Sequence, residues 1–121
     1  MAEKQVYSDY SLTSPGGAKL SWNWSGNNQV VPPNKILDIT ALTLSYFPQG
    51  SGTVGRAGVN GRDANDSPVW RLQVLFVEKD KTLHLPFPLA LRLEAGGYVE
   101  LGFTTDKDTL FISANGRLLD V

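Results

Sequence analysis

The chain has 121 residues, no cysteine and a formal net charge of −1, with 41% hydrophobic and 19% charged residues. That is enough chain to bury a core as one domain, residues 1–121, without disulfides. The charge balance leaves no basic excess for a nucleic-acid backbone, and the lack of cysteine removes disulfides, thiolate nucleophiles and cysteine metal sites.

The first residues, MAEKQVYSDY, are polar where a secretory leader would be apolar. No apolar run approaches the length of a membrane span. These features predict a soluble chain made in the cytoplasm, with no membrane insertion. Residues 1–17 carry no sustained period and read as an irregular N-terminal segment.

From residue 18 onward the pattern is that of short strands. In residues 18–24, Leu20, Trp22 and Trp24 share one face of a strand, and 25–28 form a turn. Residues 35–47 make a long strand that begins after Pro32-Pro33. Its phase slips between Leu37/Ile39 and Leu42/Leu44/Tyr46, which predicts either a bulge near Thr40-Ala41 or burial on both faces. Residues 48–68 hold five glycines between Gly50 and Gly61 and then a polar run. They read as a long loop, broken at most by a short strand around 53–59.

Residues 69–78 alternate at Trp70, Leu72, Val74 and Phe76, with Leu75 and Val77 on the opposite side. In residues 82–93, Pro86 and Pro88 lack ladder donors, so a strand, a kink or crossing, and a second strand are expected. Residues 94–97 are a turn, and 98–104 a strand with Val99, Leu101 and Phe103 inward. A turn at Asp106–Asp108 follows, then a strand from 109 to 114. Asn115-Gly116 signals a hairpin with a return strand over 117–121. About eight such strands predict an all-β, two-sheet antiparallel sandwich.

Three stretches resemble small jelly-roll domains of the phage decoration and fibre type or of the trimeric tumour-necrosis-factor-like type. Residues 30–40, VVPPNKILDIT, are similar to the opening strand of such domains. Residues 83–97, LHLPFPLALRLEAGG, are similar to their proline-leucine segment, and 109–116, TLFISANG, to their closing hairpin. The resemblance implies a jelly roll that self-associates, with a trimer favoured. It implies no catalytic residue.

The side chains that carry chemistry are few. His84 is the single histidine and lies between Leu83 and Leu85, so it points away from their face and reads as a surface or interface residue. Residues 50–55, GSGTVG, fit a dinucleotide-binding glycine pattern, but no helix follows to meet a pyrophosphate. Asp63, Asn65 and Asp66 offer oxygens to calcium, but they lack the EF-hand register; Asp106 and Asp108 read as turn residues too. Glu94 and Glu100 flank a turn and are weighed as paired carboxylates for glycoside hydrolysis. The sequons at Asn23 and Asn65 lack a secretory context.

Trp22 and Trp24 are either core or subunit interface, or else an aromatic platform for a sugar, and Arg56 and Arg62 are loop arginines that could meet an acidic ligand or partner. The expected catalytic, cofactor and metal sets are therefore empty. The candidate ligand or interface residues are Trp22, Trp24, Arg56, Arg62 and His84. A non-catalytic structural or assembly protein is expected, with a carbohydrate-binding module as the alternative. The expectation of self-association rests on the apolar residues that alternation assigns to both faces of the 36–47 and 69–78 strands.

Overall fold

The computed structural model describes residues 3–12, 16–47, 54–103 and 109–121. They form eight strands: β1 Glu3–Leu12, β2 Gly16–Lys19, β3 Lys35–Phe47, β4 Val54–Arg62, β5 Pro68–Glu78, β6 Thr82–Glu94, β7 Tyr98–Phe103 and β8 Thr109–Asp120. The strands build two sheets, in the orders β1-β8-β3-β6 and β2-β7-β4-β5.

Every strand pair in the two sheets is antiparallel. The pairings nest, β4 with β5, β3 with β6, β2 with β7 and β1 with β8, so the chain is one long hairpin rolled up. Pairs β3–β8 and β4–β7 then close each sheet. This is the double-sheet jelly roll.

Strand β3 runs over the residues that the alternation predicts, and its phase slip is a bulge. Ile39 pairs with Gly116 and Ala41 with Asn115, leaving Thr40 as the extra residue. The bulge turns Leu37 and Ile39, and also Leu42, Leu44 and Tyr46, into the core; all five are fully buried. A second register shift, between Ala57 and Val59 against β5, does the same there. Trp70 and Leu72 pack on the core and Val77 is buried in it. The side chains of 73–76 lie outside the described ones. The expected surplus of apolar faces on β3, and that of the described side chains of β5, is thus largely absorbed inside a single sandwich.

Four expectations are corrected. Residues 1–17 are not irregular, since β1 and β2 occupy most of the segment. Residues 48–68 are not one loop: β4 lies between β7 and β5 in its sheet. Glycine suits β4 because large rings fill the missing side-chain space. A Cβ on Gly55 would stand 2.9 Å from the Tyr46 ring, and one on Gly61 2.3 Å from the Trp70 ring.

Asn115-Gly116 is no hairpin; β8 runs straight through it. Gly116 lies opposite the β3 bulge, where an added Cβ would stand 2.7 Å from the Asp38 carbonyl oxygen. Close approach, not a turn, requires the glycine. Residues 82–94 are one strand rather than two, and β6 is a sheet edge, where proline is tolerated. The kink persists as a break in register, because Ile39 pairs with Leu91 but Ala41 with Pro86.

The 18–24 strand stops at Lys19, although burial continues to alternate at Leu20, Trp22 and Trp24. Backbone bonds hold that segment: Leu20 N donates to Val99 O at 3.0 Å and Trp22 N to Asn28 O at 2.7 Å. The turn at Asp106–Asp108 and residues 50–53 of the glycine pattern lie outside the described residues.

Candidate functional site

Trp22 and Trp24 stack on each other, with ring centroids 5.7 Å apart and planes 2° from parallel. Both belong to the core, and Trp24 Nε1 donates to the Asn27 carbonyl at 3.0 Å. Buried rings offer no exposed platform to a sugar, so the exposed-aromatic reading of these two residues is corrected. Between them, Asn23 faces out. Its Oδ1 accepts from Tyr7 N at 2.9 Å, and its own N–H donates to Tyr7 O at 3.1 Å. It thereby closes part of the free edge of β1.

Arg62 is not a loop arginine. It ends β4, and Nε donates to Glu100 Oε1 at 3.2 Å while a terminal nitrogen donates to the Asp66 carbonyl at 2.8 Å. Asp66 Oδ1 in turn accepts from the Tyr98 hydroxyl at 2.8 Å, which pushes the Tyr98 pKa above its ordinary value. Lys19 Nζ lies 4.2 Å from the centre of the same ring. Asp63 Oδ1 accepts from the backbone N–H of both Asn65 and Ser67 at 2.9 Å. The acids that resembled calcium ligands are therefore tying a turn. Among the described residues no three His, Asp or Glu side chains gather as a metal-ligand set.

Arg56 is exposed on the outer face of the second sheet, within β4 rather than on a loop. Near it Gly58 and Gly102 lie side by side on that face, and no atom comes within 4 Å of where either Cβ would stand. His84 is on the outer face of the first sheet, where Nδ1 and Thr43 Oγ1 share a hydrogen bond of 2.8 Å. Glu94 lies on the first sheet and Glu100 on the second, so they face away from each other and flank no common cleft.

Two features of the outer face of the first sheet were not singled out from sequence. One is a charged row across all four strands: Glu3, Arg117, Asp38 and Arg92. Arg92 donates twice to Asp38, at 2.8 and 2.9 Å, and an Arg117 terminal nitrogen lies 4.0 Å from it. The Arg92 hydrogen bonds hold the Asp38 carboxyl below the usual carboxylate range, against the opposing effect of its burial. The same bonds raise Arg92. The partnership links residues 54 apart, which no local pattern encodes.

The second feature is an aromatic pair. Phe47 and Phe111 meet edge to face at 5.8 Å and remain 45% and 46% exposed. Phe111 does show in the sequence, since it is out of phase with Leu110 and Ile112.

No protein-family model matches the chain, and no curated protein matches its sequence. Solved structures do share its fold. The capsid protein in the T13 particle of infectious bursal disease virus superposes with a TM-score of 0.54 at 10% identity. That match covers 98% of this chain but 31% of the other, so the chain spans about a third of that protein. A chain of the cyanophage Pam1 capsid superposes with a TM-score of 0.51 at 14% identity, covering 97% of this chain and 84% of the other. The chain shares the fold of those two chains.

Proposed function

We propose that the chain is a non-catalytic structural subunit, which packs against copies of itself or onto a larger protein assembly. The observation that carries this is the exposed Phe47–Phe111 pair, seated on a sheet face whose other described side chains are mostly polar. Exposed aromatic pairs are what a buried interface centre uses, because each ring brings a large apolar area with little rotamer entropy to lose.

The jelly roll shared with two virus capsid chains supports the same reading. Three copies, the number the family resemblance implied, draw on no feature of the described residues. Glycan binding through Trp22 and Trp24 has lost its platform to the core.

Light scattering behind gel filtration tests the proposal. The unaltered chain should elute as species heavier than its 13.2 kDa. Phe47→Ser/Phe111→Ser should fold and move toward the monomer. A monomer from the unaltered chain at every concentration would overturn packing against copies of itself.

A further inference from the structure

We infer that copies join head to tail, with the outer face of the first sheet on one copy set against the outer face of the second sheet on the next. This rests on the self-association proposed above and names its two surfaces. The two faces carry opposite charge. On the first, Glu3, Asp9, Asp38 and Glu94 stand against Arg92 and Arg117. Asp38 is closed off by the two arginines, while Asp9 and Glu94 are exposed.

On the second face, Lys19, Arg56, Arg62 and Arg71 stand against Glu78, Glu100 and Asp66, whose carboxylate accepts from the Tyr98 hydroxyl, and a positive excess is left. Arg62 is held by Glu100. Arg56 and Arg71 are exposed and make no ion pair among the described residues.

Placing like faces together would set two net-negative surfaces, or two net-positive ones, against each other. Like charges across an interface repel, whereas opposite faces attract. The contact is therefore heterologous: each copy gives a different surface to each neighbour. The aromatic pair lies on the first face and adds apolar area to the same contact. Because the two faces lie on opposite sides of one sandwich, the contact repeats without closing, and the product is an open stack.

Sedimentation velocity on two charge-inverted variants tests this, with thermal melts to show that both fold. Arg56→Glu/Arg71→Glu and Asp9→Lys/Glu94→Lys should each weaken self-association by about tenfold or more. Mixed together, they should associate again in alternation, because one variant then carries two negative faces and the other two positive ones. Association of the unaltered chain should also weaken in about 1 M salt, where the screening length is about 3 Å.

If the unaltered chain associates and either variant associates equally well, the pairing of faces is wrong and self-association stands. A failure of the mixture to pair also overturns the face assignment. If the unaltered chain stays monomeric at low salt, both readings fall.

Discussion

Gly116 shows how one residue type serves two opposite purposes. Asn-Gly in isolation is a turn signal, because both residues tolerate positive φ. Here the glycine is in mid-strand, pressed against the Asp38 carbonyl across the β3 bulge. The two uses are identical in sequence and separate only once the long-range partner is known. Gly116→Ala should cost about 1–3 kcal/mol of stability, read from the urea midpoint, since the obstructing atom is backbone and cannot swing aside.

Asp38 is a second case, a carboxylate that the 2-residue period places on a polar face yet which is nearly buried by its arginines. Its folded pKa is depressed, so the stability it contributes is fully present above the ordinary aspartate value of about 3.9 and is lost as the pH falls through the lower folded value. Asp38→Asn should cost about 1–2 kcal/mol near neutral pH, because Arg92 is half exposed and its bonds are partly screened. In a pH series of denaturation midpoints, the gap between the unaltered chain and the variant should close below about pH 4. A gap that is constant down to pH 2 or so would remove the ion pair from the account.

At the scale of elements, legibility followed the side chains. Strand β3 and its bulge could be read because branched and aromatic residues mark both faces and make a slip in phase visible. Strand β4 showed only as a short strand around 53–59 inside an expected loop, because its three glycines mark no face; it is built by Tyr46 and Trp70 leaning over it from other strands. The Trp22–Trp24 segment kept its alternation while losing its ladder, so the pattern predicted burial there but not strand.

Strand β6 shows the same division. Its prolines announced an interrupted ladder, and its place at the sheet edge turned the interruption into a break in register within one strand. Leu89 stands in that break, 88% exposed. Leu89→Lys should change stability by no more than about 0.5 kcal/mol in a thermal melt, since nothing packs on it. A larger loss would mean that the edge of β6 is covered.

For the whole molecule, the nested pairing of β1 with β8 through β4 with β5 explains why the sandwich hides so much apolar surface with no disulfide. The doubled apolar faces that first suggested self-association are mostly interior, because two bulges bring both phases to one side. Among the described residues, what a partner can use is smaller and more specific: an exposed aromatic pair and two sheet faces of opposite net charge. No single segment displays either feature, since each requires strands far apart in the chain to lie side by side. Sedimentation equilibrium of the unaltered chain over a wide concentration range at low salt tests the resulting account. The weight-average mass should climb steadily above 13.2 kDa as concentration rises. A mass that stays at one chain throughout would contradict it.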